Sequence, residues 1–226
     1  MKIRRFLLAF AFVLLGFGAT QAQVDCETDY SLYREYIKQW EQAKYNPSNM
    51  NPQMVISWRN IFLNCPDFRQ NTYLDGVKIM TYGFIRTTKD EALKEKYIDT
   101  LVMIYDKRAE YFPMGKNGSQ VGNIMGRKGV DLIKWAPNRY EAAYTALKQA
   151  IDMDGNNSNY GFIDSYFSVV ITMVKNGKLE ESAILDEYSR LMEIVDFNIK
   201  ANTEMANEKL LGNFNTTKAN LDAAVQ

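Results

Sequence analysis

Residues 138–157 read NRYEAAYTALKQAIDMDGNN. Within this stretch Ala143, Leu147, Ala150 and Ile151 fall at i, i+4, i+7 and i+8, on one face of a helix with a 3.6-residue period. Gly155, with Asn156 and Asn157 behind it, is the residue type that closes such a helix, because it accepts left-handed backbone without steric cost. The spacing predicts a helix over 139–152, its small and apolar residues turned inward.

The same period recurs on both sides. Tyr33, Tyr36, Ile37 and Trp40 mark a helix over 29–45, broken by Asn46 and Pro47. Asn51 followed by Pro52, a cap residue and a first-turn proline, opens a second that carries Met54, Trp58 and Ile61 to Asn64. Tyr73, Val77, Met80 and Phe84 mark the third, and Leu93, Tyr97, Leu101, Ile104 and Arg108 the fourth. After Pro113 comes the longest loop, 114–119, then helices over 121–135, 139–152, 160–175 and 179–200, the last with Ile184, Tyr188, Leu191 and Val195 inward. Eight helices on short links must stack as antiparallel hairpins, so the expected fold is all-α. The polar tail 201–226 again turns helical from about Thr216. It ends in mid-pattern, as either a frayed terminal helix or the start of a further unit in a longer chain.

The chain opens differently. Lys2, Arg4 and Arg5 precede an uncharged apolar run over 6–17, followed by the small residues Thr20 and Ala22. The run is too short for the roughly 20 residues of a spanning helix and reads as a secretory signal peptide over 1–22. No later stretch is apolar enough to span a membrane, so the expectation is a soluble protein in the periplasm or at the cell surface.

Composition removes several classes of function. The 27 basic and 27 acidic residues leave no field of one sign for nucleic acid. Histidine is absent, and with it the usual general base, the commonest metal ligand and every nucleophile–histidine pair. Adjacent carboxylates such as Glu180 and Glu181 point about 100° apart on a helix and do not converge on one atom. Asp152, Asp154, Asn156 and Asn157 lack the glutamate that a calcium loop requires at its twelfth position, and the glycines around Lys128 lack phosphate-loop spacing. No enzyme activity, cofactor or metal is expected. In an oxidising compartment Cys26 and Cys65 become candidates for one disulfide, against the alternatives of two free thiols or a bond to another chain.

Residues 138–157 also match the second helix of a tetratricopeptide repeat, with Ala143, Leu147, Ala150 and Gly155 at the template positions, and residues 51–66 match by the same count. With Asp25-Cys26, Tyr33-Arg34-Glu35-Tyr36, Asn64-Cys65-Pro66 and the run 126–131, most of residues 25–200 resembles the divergent, exported tetratricopeptide-like proteins of the Bacteroidota. First-helix matches are poor, and successive units run about 40 to 46 residues against 34 in the template. The resemblance implies a degenerate helical-repeat domain over 23–200 acting as a non-catalytic scaffold for a protein or peptide partner. It supplies no catalytic residues.

Gly118, Gly122 and Gly126 recur every four residues, with Gly129 beyond, as a stripe that lets a neighbouring helix approach closely. Tyr33, Tyr36, Trp40 and Trp135 are candidates to line a concave groove, and Arg127 and Lys128 to meet an anionic partner group. The competing reading makes the aromatics inter-helix packing and the two basic residues a solvated face. The alternative function is a glycan or small-ligand binder that stacks sugar rings on exposed Trp and Tyr.

Overall fold

The computed structural model describes residues 25–226, so the signal-peptide reading lies outside the described residues. Asp25 starts the first helix: its Oδ1 accepts the amide hydrogens of Glu27 and Thr28, each at 3.1 Å. This cap begins α1 (Cys26–Gln42) earlier than the apolar stripe indicates. Then follow α2 (Pro52–Asn64), capped by Asn51 as expected, α3 (Asn71–Lys78), α4 (Glu91–Tyr111), α5 (Val121–Trp135), α6 (Tyr140–Asp154), α7 (Tyr160–Lys175), α8 (Ser182–Glu204) and α9 (Glu208–Ala224). Helices adjacent in sequence pack as antiparallel pairs, so the all-α expectation holds. No described helix is long and apolar enough to cross a membrane.

Two segments depart from the period. Beyond Lys78 the α3 rod continues as a π-helix, Ile79–Ile85, in which Arg86 N–H donates to the Thr81 carbonyl five residues back at 3.2 Å. Tyr73, Gly76, Ile79, Met80, Gly83 and Ile85 are buried, while Val77 of α3 is only half-buried and the wider π-turn moves Phe84 off the inward face. The expected loop at 114–119 is a two-stranded hairpin, β1 (Met114–Gly115) and β2 (Gly118–Ser119), with Gly118 at φ +111°.

Cys26 and Cys65 are joined, their Cα atoms 6.2 Å apart, which ties the start of α1 to the end of α2 and excludes both alternatives. The apolar residues form one continuous core from Tyr33 to Leu221. The polar tail is part of it. In α9, Phe214, Thr217 and Leu221 are buried, Thr217 donates to Asp164 of α7 at 2.9 Å, and Tyr188 of α8 donates to Asp222 at 2.6 Å.

The glycine stripe performs the expected close approach. A Cβ on Gly126 would strike the Phe162 ring of α7, and one on Gly129 would strike Leu147 of α6, so α5 can lie against both helices only with hydrogens at these positions. Gly118 does not share this role, which corrects the expectation for it: it lies in the hairpin before α5, with no atom beyond its chain neighbours within 4 Å of where its Cβ would be.

Candidate functional site

Two of the aromatic candidates are structural. Tyr33 is 0% and Trp40 1% exposed, and the Trp40 indole donates to the Asn46 carbonyl at 2.7 Å. Their position on the inward face of α1 leaves neither with a surface for a partner or a sugar ring, which corrects the expectation for both. Tyr36 and Trp135 are half-buried. Lys128 is held by Asp106 at 2.6 Å. Of the candidate binding residues, Arg127 and Trp135 come together on α5, and both line one groove.

That groove runs between α1, α3 with its π extension, α4 and α5. One end is a cavity of about 500 Å³ between Arg34, Glu41, Asp75, Lys78, Arg108 and Arg127. The other, about 300 Å³, is bounded by Tyr82, Val130, Asp131, Trp135 and Phe162. The two share Val77, Lys78, Tyr105 and Arg127, so they adjoin along one face. The stripe on α5 builds one wall, because Gly126 is what admits the Phe162 ring.

Most groove charges are satisfied within the fold. Asp75, 2% exposed, pairs with Arg34 and with Lys78 at 3.3 Å, and Lys78 reaches Glu41 at 2.6 Å. Burial pulls the Lys78 ammonium down, but Glu41 and Asp75 more than offset it and hold the pKa above the ordinary lysine value. Tyr105 donates its hydroxyl to Asp131 at 2.6 Å. Burial lifts the Asp131 carboxyl above the usual carboxylate range, with the Tyr105 hydrogen bond opposing. The Tyr105 phenol is itself pushed up by burial and then by Asp131.

Arg108, Arg127 and Lys134 remain, Lys134 over the Trp135 ring at 4.7 Å. Arg108, in the last turn of α4, is 7% exposed; its Nε is buried without an acceptor, and Nη2 donates to the neutral Oε1 of Gln120 at 3.2 Å. Burial, then the like charge of Arg127, pull its pKa below the ordinary guanidinium value. Arg127 donates Nε to Asn123 at 3.0 Å, and among the described residues neither arginine has a carboxylate partner.

Gln120 orients this end of the groove. Its amide nitrogen donates to the Phe112 and Met114 carbonyls at 2.8 and 3.1 Å, while its oxygen accepts from Arg108 and, at 3.0 Å, from Gln70. It ties the end of α4 to the hairpin and the start of α3. Sequence reasoning missed both residues. Arg108 gave a signal, a cation on the apolar stripe of the fourth helix; Gln120 gave none.

Among known proteins, no family model, no curated protein and no solved structure matches the chain.

Proposed function

We propose that this protein is a non-catalytic interaction scaffold, tetratricopeptide-like in character and exported to the periplasm or the cell surface, whose groove between α1, α3, α4 and α5 receives a segment of a partner protein. The observation that carries the reading is the adjacency of the two cavities, which share Val77, Lys78, Tyr105 and Arg127. A depression that is elongated, polar at one end and apolar–aromatic at the other matches an extended peptide, with directional polar contacts for register and apolar surface for affinity. A photo-crosslinking amino acid at Leu74, exposed on the groove, should give a discrete adduct in the native host, whereas the same group at Leu185, exposed on α8, should not. Equal labelling from both positions, or none from Leu74, would sink the proposal.

A glycan-binding reading keeps one supporting observation, though at other residues than Tyr33, Tyr36, Trp40 and Trp135. A cavity of about 330 Å³ is bounded by Asn123, Asp154, Asn156, Asn198, Tyr160 and Phe214, and the Ser158 hydroxyl, 4% exposed and without a partner, also lines it. Amides, a carboxylate and an aromatic pair suit the hydroxyls and faces of one sugar ring. Glucose, galactose and N-acetylglucosamine should raise the melting temperature of the native chain and not of Ser158→Ala; no shift with any of them ends this reading.

A further inference from the structure

The arginines among the described residues fall into three groups. Arg59, Arg69, Arg86 and Arg127 are exposed, and water solvates them. Arg34, Arg139 and Arg190 are half-buried, and each has a carboxylate: Asp75 for Arg34, Glu95 and Asp99 for Arg139, Asp152 and Glu187 for Arg190. In all three the carboxylates outweigh burial and hold the guanidinium pKa above its ordinary value. Arg108 is the most buried and has no carboxylate within ion-pair distance, and its pKa moves the opposite way. A cation withdrawn from water without a counter-charge is unfavourable, and a second cation facing it makes it more so. Within the fold its guanidinium has the neutral Gln120 oxygen as an acceptor and no counter-charge. The groove holds five cationic side chains, Arg34, Lys78, Arg108, Arg127 and Lys134, against three carboxylates: Glu41 and Asp75 are paired with Lys78 and Arg34, and Asp131 accepts the Tyr105 hydroxyl.

We infer that the guanidinium groups of Arg108 and Arg127 together receive the carboxylate of an acidic side chain on the segment that occupies the groove. The inference rests on the groove being the docking surface. Guanidinium presents a planar fork of donors that matches carboxylate geometry, and the buried Nε of Arg108 is a donor still without an acceptor. A free small anion would satisfy the charge but leave the neighbouring stretch by Val130, Phe162 and Trp135 empty. An acidic residue with an apolar residue beside it fills both ends. The unliganded protein then carries a strained cation as the counterpart of its affinity, a trade of stability for function of a common kind.

The test uses the full oxidised chain and three probes: a capped nonapeptide alternating Glu and Leu, the same peptide with Gln for Glu, and inorganic phosphate. Fluorescence anisotropy should give at least about tenfold tighter binding of the Glu peptide than of the Gln peptide, and Arg108→Gln and Arg127→Gln should each remove about tenfold. Arg59→Gln, which deletes one exposed charge on α2, should change binding less than twofold. Without ligand, Arg108→Gln should raise the melting temperature by about 3 °C, since it removes an uncompensated buried charge. Arg127 is exposed, so its variant folds and the test stands even if Arg108→Gln does not. Equal affinity for the two peptides overturns the carboxylate assignment while leaving the groove as a docking surface. A lowered melting temperature for unliganded Arg108→Gln overturns it too, by making Arg108 a structural residue. Arg108-dependent stabilisation by phosphate without peptide binding overturns the peptide as occupant, and no response to any probe overturns the inference outright. Failure of the Leu74 adduct, by contrast, removes the docking surface itself.

Discussion

The Phe162 ring of α7 lies across the Cα of Gly126 in α5, inside the space that any side chain on Gly126 would need. Two consequences join there. The close approach seals the core between α5 and α7, and it sets Phe162 as the apolar wall of the groove in which Arg127, one residue along, presents its guanidinium.

Gly126→Ala and Gly129→Ala should therefore be destabilising despite alanine's higher helix propensity. The propensity gain is about 1 kcal/mol, while overpacking against Phe162 or Leu147 costs about 1–3 kcal/mol or more. A methyl group on Gly212 in α9 would meet nothing within 4 Å, so Gly212→Ala should stabilise by about 0.5–1 kcal/mol. Urea midpoints for the three variants decide the matter; a stabilised Gly126→Ala would refute the packing account.

Removing the cystine should cost about 4 kcal/mol. Cys26 and Cys65 are 39 residues apart, and closing a loop of that size restricts the unfolded chain by roughly this amount in the chain-entropy model. Comparison of the native chain with a Cys26→Ala, Cys65→Ala double variant in urea gives the number. Equal stability would mean that α1 and α2 are held by packing alone.

Trp40→Ala should cost about 3–5 kcal/mol, the usual result of emptying a large buried site, and should leave affinity at Arg108 unchanged. Calorimetry reads the first effect and the anisotropy assay the second. A variant that kept its stability and lost binding would restore Trp40 to the partner surface, contrary to its burial.

The Asp131 carboxyl should titrate above the ordinary carboxylate range by NMR, and it makes stability fall as pH rises. Its folded pKa is raised, so the native state binds more protons than the unfolded state between the ordinary value, about 4, and the raised one. Its stabilising contribution is complete below that window and lost on rising through it. Glu41 and Asp152, whose pKa values are lowered, act in the opposite sense and lose stability as pH falls through those lowered values. Asp131→Asn should remove the alkaline-side loss alone; an unchanged pH–stability profile would show that Asp131 is not its source.

Much of the fold was legible because helix signals are local. A backbone hydrogen bond spans four residues, so the stripe on α6, the Asn51 cap with Pro52 and the stop at Gly155 can be read within a few positions of where they act. The errors fell where a longer-range or unusual turn intervened. The π-helix over Ile79–Ile85 widens the turn and moves Phe84 off the inward face, and the stripe of α9 was faint because its buried set includes Thr217.

The cystine pairing also lay within reach of the sequence, since two cysteines in an oxidising compartment allow one internal bond. The site was a different matter. That Arg108 shares a face with Leu101 and Ile104 is visible in the sequence; that no carboxylate reaches it is not. Arg34 finds Asp75 41 residues away and Arg139 finds Glu95 44 residues away, and which cation meets which anion depends on how the helices are packed side by side. The helical period determined which residues form helices and which faces turn inward. Only tertiary packing decided which charges were neutralised and which were left facing a groove, because ion pairing acts through space between elements that the sequence keeps far apart.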